Sequence, residues 1–167
     1  MRQPYLIVIA GVSGSGKSTI ASDLARRLDC TFLEGDDFHG ETNIAKMAAG
    51  WALTDSDRRP WIDRLCDAAN CADRTVVVSC SALSRKVREW IRQASEKPVR
   101  FALLNVGEAS LRSRINARSD HFMPPELLTS QLAALEISSD LLLINAERSP
   151  DTINAEIERL ITSGELP

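Results

Sequence analysis

No stretch of this chain approaches the ~20 consecutive apolar residues that a membrane span requires. The first apolar run, 5–10, is short and leads straight into a glycine-rich loop, so no secretion signal is expected. The four cysteines, Cys30, Cys66, Cys71 and Cys80, form neither a C-x-x-C pair nor a zinc spacing. They read as small buried thiols, which places the chain in a reducing, cytoplasmic compartment. Net charge is −3 and no long basic block exists, which argues against nucleic acid as the main partner. A membrane partner is not expected either. Internal repeats, low-complexity tracts and linkers are absent, and 167 residues suit one domain, 1–167. With 44% apolar residues such a chain builds a core without disulfide or metal staples.

What is present is concentrated near the amino end. Gly11-Val12-Ser13-Gly14-Ser15-Gly16-Lys17-Ser18 fits G-x-x-x-x-G-K-[ST]. The apolar run Tyr5–Ala10 ahead of it has strand length. Behind it, Ile20, Leu24 and Leu28 keep helical spacing, and Asp23 and Arg27 are placed as an i,i+4 ion pair. Strand, glycine loop and helix are the context in which this motif cradles phosphate. Backbone N–H groups of Gly11, Ser13, Gly14, Ser15, Gly16 and Thr19 are the candidate nucleotide contacts. Lys17 reaches the β- and γ-phosphates, and the Ser18 hydroxyl is the candidate Mg²⁺ ligand. A nucleoside triphosphate, ATP, is the expected cofactor.

Five short apolar runs read as strands: 5–10, 31–34, 75–80, 99–105 and 141–145. Val76–Val78 and Leu141–Ile144 are continuous rather than alternating, as in a parallel sheet covered on both faces. Helical patterns fill 57–72, 84–95, 108–118 and 151–163. The first of these opens with Asp55 or Asp57 as cap and Pro60 in its first turn. The fold expected is α/β, a three-layer α/β/α P-loop NTPase with a five-stranded parallel sheet. Two stretches break the alternation. Residues 35–60 are polar and turn-rich and read as a substrate-binding insertion. Residues 119–136 read as a lid.

Glu34-Gly35-Asp36-Asp37-Phe38-His39 ends the second strand, where ligand sites of open α/β sheets lie. Asp36 is the candidate for orienting the acceptor hydroxyl and taking its proton; Asp36 and Asp37 equally suit a cap on the next turn. Asp36 and Glu34 are both candidate outer-sphere partners of Mg²⁺. Arg58 and Arg59 stand in a first helical turn, where cations oppose the dipole, which suits contact with an anion. Arg114 and Arg118 share a helix face leading into the lid and suit transition-state charge, or a solvated basic face. The two histidines, His39 and His121, both fall in the two insertions, each beside a Phe. Trp51 and Trp61 read as packing of the substrate region. Ser79-Cys80-Ser81-Ala82-Leu83 ends the third strand without the acid that many P-loop ATPases carry there. That favours a small-molecule kinase, whose Mg²⁺ leans on the P-loop serine, water and phosphates.

By these residues the chain resembles the thermoresistant-type gluconokinases, P-loop kinases of D-gluconate. The resemblance rests on residues 11–18, on Gly35-Asp36-Asp37-Phe38-His39, and on Asn43-Ile44-Ala45-Lys46-Met47 with Gly50 and Leu53–Trp61. It continues through Cys80-Ser81-Ala82-Leu83 with Arg88, and through His121-Phe122-Met123 with Leu127-Leu128, Ser130-Gln131-Leu132 and Leu135-Glu136. It implies phosphorylation of D-gluconate to 6-phospho-D-gluconate with ATP and Mg²⁺, a nucleoside-monophosphate-kinase-like fold with a lid, and a homodimer. By motif match it implies Lys17 and Ser18 in the nucleotide and metal roles and Asp36 on the acceptor side; Arg118 as a catalytic cation and Arg114 beside the nucleotide rest on the helix-face reading above. His39, Lys46, Arg58, Ser81, Arg88, His121 and Gln131 become substrate-side or lid residues. Three departures stand out: Gly40 in place of a proline after the histidine, Ser119-Asp120 before His121, and a short 137–140 segment. A shikimate-kinase-like enzyme and a non-catalytic nucleotide-binding protein are the competing readings.

Overall fold

The computed structural model describes residues 3–117 and 125–163. Five strands, β1 (Leu6–Ala10), β2 (Thr31–Glu34), β3 (Val76–Ser79), β4 (Val99–Asn105) and β5 (Leu142–Asn145), form one sheet in the order β2-β3-β1-β4-β5. Every pairing is parallel. The central β1 is buried along its whole length. Its side chains alternate between two cores, as the two-residue period of a strand requires. Ile7 and Ile9 join Ile20, Leu24, Leu104, Ile144 and Ile157 on one face. Leu6 and Val8 join Trp61, Ile62, Leu65, Val78, Ile91 and Phe101 on the other. Full burial of each such side chain contributes roughly 1.5–3 kcal/mol, so the two cores carry most of the stability.

The helices are α1 (Lys17–Arg27), α2 (Glu41–Ala48), α3 (Asp55–Asn70), α4 (Arg85–Ala94), α5 (Glu108–Asn116), α6 (Pro125–Ala134) and α7 (Pro150–Ser163). Strand positions agree with the sequence to within a residue at most ends. The expected ion pair forms, Arg27 Nε lying 2.9 Å from Asp23 Oδ2. The insertion at 35–60 is more ordered than its polar composition suggests, holding a 3-10 turn at Gly35–Phe38 and helix α2.

Three expectations need correction. Helix α3 starts two residues earlier, because Thr54 rather than Asp55 or Asp57 is its N-cap. The Thr54 hydroxyl accepts the Asp57 N–H while the Asp57 carboxylate accepts the Thr54 N–H, a reciprocal capping box. Pro60 therefore falls in the second turn. Strand β5 is covered on one face only: it lies at the sheet edge, and Leu143 is 47% exposed. Among the cysteines, Cys66 and Cys80 are buried but Cys71, at the end of α3, is exposed. Burial pushes the Cys66 and Cys80 thiols up to about 12, so neither is a nucleophile at neutral pH.

Candidate active site

The site gathers at the carboxyl ends of β1, β2 and β3. The loop after β1 turns on glycines with positive φ, Gly14 at 81° and Gly16 at 94°. A Cβ on Gly14 would stand 2.9 Å from Ile115 Cγ1, so α5 fixes the loop from behind. Gly16 caps α1 with no side-chain hydrogen bond, which leaves the amino end of the helix for an anion. Ser18 and Thr19 are exposed on that first turn, and the Lys17 ammonium donates to the Val12 carbonyl at 3.0 Å. The Ser15 hydroxyl is buried and has no hydrogen-bond partner among the described residues.

Asp36 is aimed by the strand end beneath it. A Cβ on Gly35 would stand 2.2 Å from the Ser79 carbonyl oxygen, so β2 and β3 meet there only because residue 35 has no side chain. The Gly35 N–H donates to Ser79 Oγ at 3.3 Å, and the Ser79 hydroxyl donates to the Glu34 carboxylate. The Gly35 carbonyl accepts the Trp61 indole N–H at 2.7 Å. Ser79 and Trp61 thus fix the start of the 3-10 turn from both sides of Gly35. From it the Asp36 side chain projects 78% exposed, so it caps nothing and faces the cleft. Glu34 is held by Ser79 and is not among the cleft-lining residues.

The cleft encloses about 560 Å³. Ser13 and Lys17 line it from the P-loop, Asp36 and His39 from the segment after β2, Arg58 and Trp61 from α3, Ser81 from the segment after β3, and Gln131 from α6. Arg58 Nη1 lies 3.2 Å from Asp55 Oδ1. Gln131 links α6 to the P-loop, its Oε1 accepting the Ser13 N–H at 2.7 Å. The Gly11 N–H donates to the Ser81 carbonyl at 3.2 Å, which sets the Ser81 segment against the same loop. The His39 imidazole is stacked on Trp61, ring centroids 4.1 Å apart. Burial holds its pKa below the ordinary histidine value, with Asp36 opposing that effect and Arg64 adding to it.

Other sequence candidates stand elsewhere. Lys46 is not among the cleft-lining residues and pairs with Asp57, Nζ to Oδ1 2.7 Å, and the Asp57 carboxyl is held at about 2 by Lys46 first and Thr54 second. Arg88 is wholly buried and does not line the cleft. Its Nη1 donates to the Ala82 and Leu83 carbonyls, its Nη2 to the Glu136 carbonyl and Ser138 hydroxyl, and its Nε to Asp140. Every face of the guanidinium is occupied by protein, which corrects the expectation that it meets substrate. Arg114 Nη2 donates to the Ala146 carbonyl at 3.0 Å, on the loop after β5. Trp51 is 67% exposed and packs nothing comparable to Trp61. Arg118 and His121 lie outside the described residues, as does the first part of the stretch 119–136 expected to form a lid. Sequence reasoning gave no role to Asn43, which is buried on α2 against His39; the chain between them leaves helical backbone at His39 and Gly40, so spacing alone carried no signal.

A parallel sheet with a glycine loop feeding a helix N-terminus, an acid across the cleft and helix α6 touching the loop define a P-loop kinase. Comparison with known proteins agrees. The family described as an AAA domain matches residues 6–138. A gluconokinase of Gluconobacter oxydans (strain 621H) is 40% identical over 94% of this chain and 91% of its own. The thermoresistant gluconokinase of Escherichia coli (strain K12) is 36% identical over 96% of this chain and 95% of its own. A crystal structure of a gluconokinase from Sinorhizobium meliloti 1021 superposes with a TM-score of 0.82 at 35% identity, covering 98% of this chain and 99% of that one. The chain belongs to the gluconokinase family, within the P-loop proteins of the AAA-domain type.

Proposed function

We infer that this chain is an ATP-dependent kinase that phosphorylates D-gluconate to 6-phospho-D-gluconate. The observation that carries this is one cleft lined by the P-loop Lys17, by Asp36 and by the cation Arg58. An anionic polyol fits that arrangement: Arg58 meets its carboxylate, and Asp36, His39, Ser81 and Gln131 offer donors and acceptors to its hydroxyls. The N–H groups at the start of α1 and the Lys17 ammonium hold the phosphates. Asp36 accepts the proton of the attacking hydroxyl as its oxygen bonds to the γ-phosphorus and the bond to the departing diphosphate breaks. The Gln131 contact with Ser13 brings α6 over the loop and keeps bulk water from competing as acceptor. Arg118 and Arg114 are the proposed cationic partners of the nucleotide on the lid side.

Mg²⁺ belongs to the same reading. The exposed Ser18 hydroxyl on the first turn of α1 is a hard oxygen that suits it as a ligand, with Asp36 across the cleft as an outer-sphere partner only. When bound, Mg²⁺ would neutralise charge developing on the phosphoryl oxygens. A homodimer and a cytoplasmic site of action complete the proposal; the four free thiols suit a reducing compartment. No helix among the described residues is long and apolar enough to cross a membrane.

The test is a coupled ADP-release assay with MgATP and D-gluconate, shikimate, glucose, AMP or no acceptor. Turnover with D-gluconate alone is expected. Turnover with shikimate or AMP in its place would overturn the assignment.

A further inference from the structure

Asn43 carries no role in the reading above, yet it is 6% exposed and touches the cleft histidine. Its side-chain nitrogen Nδ2 lies 2.9 Å from the Asp57 carbonyl oxygen and 3.3 Å from His39 Nδ1. A backbone carbonyl only accepts, so Nδ2 must face it; turned over, the amide would set oxygen against oxygen. The two hydrogens of Nδ2 are then both assigned, one to Asp57 and one to His39. A ring nitrogen that receives a hydrogen bond carries no proton of its own. His39 Nδ1 is therefore the bare nitrogen, and Nε2 carries the hydrogen of the neutral ring.

Nε2 is the atom that faces the reaction. It lies 3.9 Å from Asp36 Oδ1 at the cleft, while the His39 side chain itself is only 4% exposed. The anchor behind Asn43 is firm. Asp57 is tied by its carboxylate to Lys46 at 2.7 Å and by the capping box to Thr54. A line of contacts thus runs from Lys46 through Asp57 and Asn43 to His39, and gives the motif residues Asn43 and Lys46 a common purpose.

We propose that Asn43 is a positioning residue that locks His39 as the neutral Nε2–H tautomer, aiming a hydrogen-bond donor at Asp36 and the acceptor hydroxyl beside it. The proposal rests on the reading of the cleft as a sugar-acid kinase site only for the identity of the acceptor. His39 in this role is a donor and not a base: its lone-pair nitrogen is turned away from the cleft. The charged groups facing the ring are Asp36 from the 3-10 turn and Arg64 from α3. They act in opposite directions, and burial keeps the ring neutral.

The test uses the whole chain with ¹⁵N-labelled histidine and long-range ¹H–¹⁵N correlation of the imidazoles. There are two histidines, and a His121→Gln variant assigns them. In the unsubstituted protein at neutral pH, His39 is expected to show a pyridine-like Nδ1 and a pyrrole-like Nε2. A pyrrole-like Nδ1, or a charged ring, overturns the proposal whatever the enzyme turns over. In Asn43→Asp a carboxylate, which only accepts, replaces the donor. The ring is expected to switch to Nδ1–H and its titration midpoint to rise by about 1 unit or more. The KM for D-gluconate should rise roughly tenfold with the KM for ATP within about twofold. An unchanged tautomer and midpoint in a folded Asn43→Asp protein would also overturn it. Should that variant not fold, the spectrum of the unsubstituted chain decides. Absence of D-gluconate turnover in the unsubstituted enzyme overturns the substrate instead and leaves the tautomer result standing.

Discussion

Arg88 Nε lies 3.0 Å from Asp140 Oδ2 across a span of 52 residues, with the arginine side chain wholly buried. The guanidinium ties three segments together: the turn after β3, the residues that leave α6, and the short stretch 137–140. Glu136 reinforces the joint, its N–H donating to the Leu83 carbonyl and its carboxylate accepting the Arg85 N–H. Ala82, at φ 43°, sits in left-handed backbone at a cost of about 1–2 kcal/mol, and its carbonyl is one of the atoms Arg88 holds. Arg88→Ala is expected to lower unfolding stability by about 3 kcal/mol, because Asp140 and several carbonyls lose their donor. The KM for D-gluconate of the folded fraction should stay within about twofold. Urea titration and steady-state kinetics check both. Unchanged stability with a raised KM would return Arg88 to the substrate.

Acid should loosen the same joint. Burial alone would raise the Asp140 carboxyl, but the Ser138 hydroxyl, Arg92 and Arg88 outweigh it and hold the group well below 3.8. A depressed carboxylate contributes stability that is fully present above its unfolded value and lost as pH falls through the folded one. The loss therefore falls below pH 3.8. Asp140→Asn should flatten the decline of the urea midpoint in that range while lowering the midpoint at neutral pH. A decline as steep as that of the unsubstituted chain would remove Asp140 from the account.

Asp36→Asn keeps the shape of the side chain and removes the proton acceptor. The expected outcome is a fall in kcat of at least ~100-fold, the low end for a positioned acid or base. An effect on KM alone would make Asp36 a binding residue.

Gly35→Ala should injure the reaction without touching a functional group. The added Cβ would stand 2.2 Å from the Ser79 carbonyl, and backbone must shift to admit it. Because Asp36 is the next residue, a displacement approaching 1 Å should cost roughly 10- to 100-fold in kcat. Full activity would show that the strand ends separate freely.

Gln131→Glu places a carboxylate where the amide oxygen now accepts the Ser13 N–H. Repulsion of the incoming triphosphate should raise the KM for ATP about tenfold, the equivalent of ~1.4 kcal/mol. Gln131→Ala should raise it less. Equal effects would mean that the contact, and not its charge, matters.

Much of this was legible in the sequence because it is local. The continuous Val76–Val78 run does become a strand buried on both faces, and the glycine loop stands between strand and helix as its motif requires. Asp36, His39, Arg58, Ser81 and Gln131 all reach one cleft. What escaped depended on distant partners. Arg88 reads as a free cation until residues 136–140, about 50 positions on, are folded against it. Lys46 and Asn43 look alike as motif members, and only Asp57, supplied from the next helix, joins them, its carboxylate taking Lys46 and its carbonyl Asn43. The α3 start was within reach: Thr54-Asp55-Ser56-Asp57 has the spacing of a capping box, and the two acids drew attention from the threonine ahead of them.

The stacking of His39 on Trp61 makes the cleft optically self-reporting. An imidazolium pressed against an indole quenches its fluorescence far more than a neutral imidazole does. Trp61 is 2% exposed and emits from an apolar setting, whereas Trp51, 67% exposed, emits from water. Trp90, half-buried on α4, is the third emitter, so in a Trp90→Phe background the buried band belongs to Trp61 and brightens or dims with the proton on a single ring. Asp36 at the cleft and the pH act on that same ring, so one unlabelled emission spectrum reads both.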